Sequence, residues 1–190
     1  MSQYRAPPIS LLSAPDNGNI YIGQNINGKK QGSGTMYYDD GTIHMCTWIN
    51  NKADGPGICH NRNGSEYIGS WINDMFHGNT NEIYYENGDY YRGSICRNTV
   101  TGYGRKKYAD GTVYKGEWKN GLWHGYGELF YNNTETYNGM FDNGQREGAG
   151  IYIWKNGTIY DGEWKHNEID GYGSIQTHLD PTTVHTCLWT

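Results

Sequence analysis

A beat of 23 residues constrains this chain more than any other feature. Tyr114 to Gly127 reads YKGEWKNGLWHGYG, Tyr160 to Gly173 reads YDGEWKHNEIDGYG, and Tyr67 to Gly78 opens YIGSWINDMFHG. Copies open at Tyr21, His44, Tyr67, Tyr91, Tyr114, Tyr137 and Tyr160, so the steps are 23, 23, 24, 23, 23 and 23. A Gly-x-Gly element keeps the same phase at Gly32/Gly34, Gly55/Gly57, Gly102/Gly104, Gly125/Gly127, Gly148/Gly150 and Gly171/Gly173; in the third copy it is Gly78 followed by Thr80. Self-similarity at so short a period means small supersecondary units stacked on one another.

Each unit reads as a β-hairpin. In Tyr114-x-Gly116-x-Trp118 the marked residues alternate and so share one face of a strand. Asn120-Gly121 begins a turn, and Gly125-x-Gly127-x-Leu129-x-Tyr131 supplies a return strand with the same alternation. Asp110-Gly111 and Asn156-Gly157 turn the chain into the next hairpin, because Asp and Asn tolerate, and Gly prefers, positive φ. With Trp118 opposite Gly127, the indole would lie over backbone that no Cβ obstructs, and repetition would build an aromatic spine.

Some copies depart from the pattern. Asn25 and Ile95 stand where an aromatic is expected, and His44 and Cys46 replace Tyr and Gly. The third copy carries an extra residue, placed near Asn87, and Thr134 replaces the late Gly of the fifth. Between the signature positions, early first strands carry Ile22, Ile26, Met45, Ile49, Ile68 and Ile72, whereas later ones carry Lys115, Glu117, Lys119, Asp161, Glu163 and Lys165. The early outer face is therefore expected to be covered. The reading adopted is that the lead-in, through Ile9, Leu11 and Leu12, folds back over it. The alternative is a partner or second copy docking on that apolar face.

Composition fits a thin repeat sheet: 28 Gly and 18 Tyr stand beside only 35% hydrophobic residues, and the 15% aromatics must supply most of the burial. The net charge is −5 and the cations are scattered singly, which argues against nucleic acid and weakens electrostatic attraction to anionic lipid. Cys46, Cys59, Cys96 and Cys187 show no metal-ligand spacing. If Trp48 lay opposite Gly57, Cys46 and Cys59 would face each other; two small residues filling repeat positions is the simpler reading. No His is spaced for a metal, no Gly-x-Gly opens a helix, and no nucleophile, base and orienting group come together. The expectation is no catalytic residue, no cofactor and no metal. Residues 1–20 hold no long apolar run, so a cytoplasmic location is expected.

From Tyr21 to about Gly173 these motifs resemble the MORN repeat family (membrane occupation and recognition nexus). The resemblance implies an all-β fold, an elongated single-layer antiparallel sheet of consecutive β-hairpins, twisted and curved. Residues 1–20 would be an extended N-terminal lead-in, 21–173 the seven repeats, and 174–190 a capping tail packing Ile175, Leu179, Val184, Leu188 and Trp189 across the last hairpin. Family membership implies partnership rather than chemistry: a non-enzymatic scaffold or adaptor binding protein partners, a homodimer among the arrangements. The alternatives are a membrane phospholipid tether, a regulatory subunit acting in trans, or a component of a cytoskeletal or viral particle. The groove that such relatives use to hold a partner segment would here be lined by Tyr91, Tyr114, Trp118, Tyr137, Phe141, Tyr160 and Trp164.

Overall fold

The computed structural model describes residues 9–13, 18–132, 134–177 and 180–189. Two compact units form, 1–86 with 95–98, and 87–94 with 99–190. In the first unit β1 (Ile9–Ser13), β2 (Ile20–Ile26), β3 (Lys29–Tyr37), β4 (Ile43–Ile49), β5 (Lys52–His60), β6 (Glu66–Ile72), β7 (Met75–Phe76) and β8 (Gly78–Tyr84) follow one another. The second holds β9 (Tyr90–Cys96, to Ser94), β10 (Thr99–Lys107), β11 (Val113–Lys119), β12 (Leu122–Phe130), β13 (Thr136–Asp142), β14 (Gln145–Ile153), β15 (Ile159–Lys165), β16 (Glu168–Thr177) and β17 (Asp180–Trp189). Every recorded pairing within a unit is antiparallel and joins neighbours in sequence, with β7 and β8 sharing β6. The expected all-β run of consecutive hairpins is what forms, without a helix among the described residues.

Two kinds of turn alternate. Inside a hairpin two residues link the strands, and both take positive φ, as at Asn120 (53°) and Gly121 (79°). That mirror-image turn follows the twist of the flanking strands. Between hairpins five residues close a type I turn with a left-handed fourth position, where Gly111 N–H donates to Tyr108 O (3.0 Å) and Thr112 N–H to Asp110 Oδ1 (2.8 Å). Thr134 holds that left-handed position at φ 78°, a strained conformation for a β-branched residue.

The register corrects the placing of the tryptophans. Trp118 lies opposite Trp123, and Gly127 lies opposite Gly116. A β-bulge after Gly116 shifts the pairing, and Gly125 (φ 56°) takes the left-handed conformation there. Likewise Cys46 lies opposite Gly57 and Cys59 opposite His44, and all four cysteines are free. The side chain that covers the paired glycines is the tyrosine. A Cβ added at Gly127 would sit 2.5 Å from Tyr114 Oη, and the same holds in kind for Gly104 under Tyr91, Gly150 under Tyr137 and Gly173 under Tyr160.

The extra residue of the third copy is also displaced from its expected place. Tyr67 pairs with Ile83, sixteen residues on, where Tyr114 pairs with Leu129, fifteen on. The insertion therefore lies in the return strand before Ile83, not near Asn87. Asn81 fills the room over Gly69, accepting from Ser70 N–H (3.1 Å) and donating to Gly78 O (2.7 Å). Tyr67, kept off that place, stacks on Phe76 instead (5.5 Å, 16°).

Both ends differ from expectation. The described strand of the lead-in, β1, does not fold over the early face but lies beside β2, with Leu12 opposite Tyr21 and Ser10 opposite Gly23. The tail extends the sheet as β17 beside β16 rather than lying across the last hairpin: Val184 and Leu188 are exposed, and Trp189 reaches the hairpin's Tyr160. Leu179 lies outside the described residues.

A second regular contact ties each hairpin tip to the hairpin before it. Asn98 N–H donates to Phe76 O (2.9 Å) while Phe76 N–H donates to Asn98 Oδ1 (2.7 Å); Asn51 with Lys30, Asp74 with Ala53 and Asn167 with Arg146 repeat this exchange. Gly121 and Gly144 keep only the backbone half, to Val100 O and Trp123 O (both 2.9 Å). Asn98→Gly should therefore lower stability by about 1 kcal/mol, and Gly121→Asn should raise it by about 0.5 kcal/mol. Urea unfolding midpoints read both; equal midpoints for Asn98→Gly and the parent would remove the clamp from the account.

Candidate interaction surface

On the face that carries the tyrosines, rings meet edge to face in an unbroken chain. In the second unit the sequence runs Tyr91–Trp118 (5.5 Å), Trp118–Tyr114 (5.1 Å), Tyr114–Phe141 (5.2 Å), Phe141–Tyr137 (5.0 Å), Tyr137–Trp164 (5.3 Å) and Trp164–Tyr160 (5.4 Å), at interplanar angles of 81–89°. Such T-shaped pairs add to area burial because the positive ring edge meets the negative face. The polar atoms are satisfied within the array. Tyr114 Oη donates to Glu117 O (2.8 Å), Tyr137 Oη to Met140 O (2.9 Å), Trp118 Nε1 to Gly104 O (3.2 Å) and Trp164 Nε1 to Gly150 O (3.0 Å). Burial raises the phenol pKa of Tyr114 and Tyr137 far above the ordinary value.

In the copies opening at Tyr21, Tyr114 and Tyr137, the residue nine places on lids this chain of rings. Trp123 stacks flat on Tyr114 (4.9 Å, 14°), Arg146 Cζ stands 4.3 Å from the centroid of Trp164, and Lys30 Nζ stands 4.3 Å from that of Trp48. Tyr91, Tyr114, Trp118, Tyr137, Phe141, Tyr160 and Trp164, expected to line a partner groove, are thus only 0–6% exposed. They are the core of the array, and their edges meet one another rather than solvent.

In the first unit the chain of rings passes through a histidine: Tyr21–Trp48 (5.6 Å), Trp48–His44 (5.6 Å) and His44–Trp71 (4.6 Å). His-x-Cys replaces Tyr-x-Gly at nearly constant volume, the shorter ring leaving room for the Cβ of Cys46. Burial pushes the His44 imidazole down to about 4 and the Cys46 thiol up to about 12.

The opposite face is where side chains reach solvent. The middle residue of each Gly-x-Gly points there, and in three copies it is tyrosine: Tyr103 (57% exposed), Tyr126 (54%) and Tyr172 (72%). Along the strand order, Tyr103 lies opposite Glu117, Tyr126 opposite Met140, Ala149 opposite Glu163 and Tyr172 opposite Leu188. The result is an aromatic row crossing the strands. Glu163 turns its carboxylate into the bulge, accepting from Tyr172 N–H (2.8 Å). Alternation along Gly-Tyr-Gly, at 102–104, 125–127 and 171–173, was the sequence signal for this row, and attention to the signature residues passed over it.

Of the early apolar residues, Ile22, Ile26, Met45, Ile49 and Ile72 are 37–49% exposed and Ile68 is half-buried. The recorded strands leave that face open. A shallow cavity of about 590 Å³ there is lined by Ile22, Gln24, Thr35, Met45, Thr47 and Pro56 among others. Ionisable groups pair across strands on these faces, His124 with Asp142 (3.1 Å) and His60 with Glu66 (2.7 Å). Among the described residues no cluster of three His, Cys, Asp or Glu could hold a metal ion, and no helix is long and apolar enough to cross a membrane.

The MORN repeat model matches residues 21–43, 47–66, 67–79, 114–135, 137–159 and 160–176. The chain belongs to the MORN repeat family. The copy opening at Tyr91, where Ile95 replaces the aromatic, lies outside the matched ranges of this MORN protein. No curated protein sequence matches the chain. Among solved structures, the TCP domain of SAS-4 (dCPAP) of Drosophila melanogaster, in complex with a proline-rich motif of Ana2 (dSTIL), is similar in fold: 14% identity, 96% of this chain and 97% of that one covered, TM-score 0.53. The TCP10 domain of Danio rerio CPAP, in complex with a STIL peptide, has 15% identity, covers 90% of this chain and 74% of that one, and has a TM-score of 0.52. At these identities the likeness shows the fold.

Two predictions test the core of the MORN array. Gly127→Ala forces a methyl against the Tyr114 ring and should destabilise by about 2 kcal/mol, more than Tyr114→Phe, which removes one hydrogen bond worth about 1 kcal/mol; denaturant unfolding gives both, and the reverse order would displace the tyrosine–glycine contact from its central place. For His44, the unfolded chain takes up a proton below about 6.5 and the folded one only near 4, so stability should fall as pH drops through that window. His44→Leu should flatten the dependence in thermal melts between pH 7 and 4.

Proposed function

We propose that this MORN-repeat protein is a non-enzymatic scaffold that holds an extended, proline-containing segment of a protein partner across the outward tyrosine row of its second unit. The observation that carries this reading is the recurrence of an exposed tyrosine at the stride of one hairpin, at Tyr103 and Tyr126, with Tyr172 two hairpins further on. One hairpin advances about 9.6 Å, two strand spacings. A polyproline II helix advances about 9.3 Å per three-residue turn. A segment lying across the strands would therefore present one proline face to each tyrosine, and its preformed shape would lose little entropy on docking. Two fold neighbours, one in complex with a proline-rich motif of Ana2 and one with a STIL peptide, support a peptide segment as the partner.

The aromatic core takes no direct part. Its rings hold the backbone that sets the tyrosine stride. The ionisable pairs His124–Asp142 and His60–Glu66 link adjacent strands, a structural role that matches a scaffold.

Fluorescence polarisation with a labelled peptide of repeating Pro-x-x triplets tests the reading. Tyr103→Ala and Tyr126→Ala should each weaken binding about tenfold, the value of one aromatic–proline contact of about 1.4 kcal/mol, with unfolding midpoints near the parent's. Binding that survives both substitutions, or that is lost on Met45→Ser instead, would place the partner elsewhere.

A further inference from the structure

The two ends of the array are halves of a repeat. In β17, Trp189 lies opposite Gly171, Cys187 opposite Gly173 and His185 opposite Ile175. In β4, Trp48 lies opposite Gly32, Cys46 opposite Gly34 and His44 opposite Met36. The residues coincide as well as the register, since His185-x-Cys187-x-Trp189 repeats His44-x-Cys46-x-Trp48. The Trp189 ring meets Tyr160 edge-on (6.4 Å, 88°), as Trp164 meets Tyr137 (5.3 Å, 83°). So β17 is the first strand of an eighth repeat. It opens 25 residues after Tyr160 rather than 23, and with His in place of Tyr, which hid it from a search for the beat.

At the other end β1 is a return strand. Its Leu12 lies opposite Tyr21 and its Ser10 opposite Gly23, the register that Met36 and Gly34 hold against His44 and Cys46. Among the described residues, β1 pairs only with β2 and β17 only with β16, so each has one free backbone edge. Neither Ile9–Ser13 nor 182–189 contains a charged Asp, Glu, Lys or Arg, the side chains that usually block edge pairing.

We propose that β17 of one chain pairs antiparallel with β1 of a second, so that a first strand and a return strand make one whole hairpin and chains join head to tail. The strand order stays regular through the junction: return strand β16, first strand β17, return strand β1 of the next copy, first strand β2. The register within a repeat then sets His185 opposite Leu12 and Cys187 opposite Ser10 of the neighbouring copy, as His44 is set opposite Cys59 and Cys46 opposite Gly57. Because the contact is heterologous, each chain keeps one free end and growth continues past the dimer.

Cys187 makes the junction testable with a native residue. Directly opposed antiparallel residues have Cα atoms about 4.5–5.5 Å apart, within disulfide range. Ser10→Cys in a Cys96→Ser background, treated with oxidised glutathione, should give a ladder of dimers, trimers and higher multimers on a non-reducing gel. Peptide mapping should find position 10 joined to Cys187, and adding Cys187→Ser should abolish the ladder. Circular dichroism melts of the variants establish that each is folded. Without oxidant, sedimentation velocity of the parent should show mass rising past two chains as concentration increases. A boundary that stays at one chain, growth that stops at the dimer, or linkage only between two Cys187 residues would overturn the proposal; the second would mean a symmetric pairing of like edges, and the third would identify that edge as β17.

Discussion

The array depends on a tyrosine ring lying flat against two glycines that face each other across a hairpin. A Cβ on either glycine would collide with the phenol or with the opposing backbone, as at Gly116, where it would stand 2.6 Å from the Gly127 Cα. That close approach lets a thin sheet bury a large ring completely, since backbone stands where a second layer would otherwise be needed. The hydroxyl then turns back to a carbonyl three residues on, which satisfies the buried donor and fixes the ring at both ends. The bulge follows from the same contact. Once the two glycines are opposed, the return strand must slip two residues before Trp118 can meet Trp123, and the first glycine of Gly-x-Gly supplies the left-handed backbone. The two glycines of that motif therefore have different work, one conformational and one spatial.

Substitutions that look like decay in the sequence conserve this volume. His44 is shorter than Tyr and Cys46 is larger than Gly, and the pair keeps the ring chain continuous between Trp48 and Trp71. In the third copy the insertion brings Asn81 over Gly69, and its amide takes backbone hydrogen bonds there while Tyr67 leaves. A repeat of this kind tolerates exchange of its parts provided that the space above the paired backbones stays filled, because each hairpin answers only to its neighbours. The lid position shows the same tolerance with different chemistry: an indole, a guanidinium and an ammonium each cover an aromatic face.

Period, strand alternation and turn chemistry were legible because each is a local property. The 23-residue beat and the Asn-Gly and Asp-Gly dipeptides led to hairpins with the right strands and turns. Register was not legible, since the bulge after Gly116 shifts the pairing by two residues and so leaves the alternation of faces intact, and Trp118 was set opposite Gly127. The ends were hidden for a related reason. Ile9, Leu11 and Leu12 read equally well as a flap or as a strand, and only backbone pairing with β2 separates the two. For the candidate site, the most repetitive residues drew the eye, but in a repeat protein repetition marks what packing demands. Tyr91, Tyr114 and their kin recur because the core requires them, and for that reason they are hidden from partners.

Recognition must then be sought where the beat is silent. The middle residue of Gly-x-Gly is Ser33, Pro56, Tyr103, Tyr126, Ala149 and Tyr172 in turn, a position that the core does not constrain because it faces away from the rings. Nor are the acidic residues beside it all free charges. Glu163 holds the bulge by accepting from Tyr172 N–H, and a Cβ at Gly125 would meet the Glu117 carboxylate at 2.6 Å, so both side chains fold down onto the backbone at the bulge. Anchored this way, they support the tyrosine row from below and compete less with it for solvent. The open face of the second unit carries exposed tyrosines at multiples of one hairpin, while the part of each repeat that cannot vary stays on the other side of the sheet.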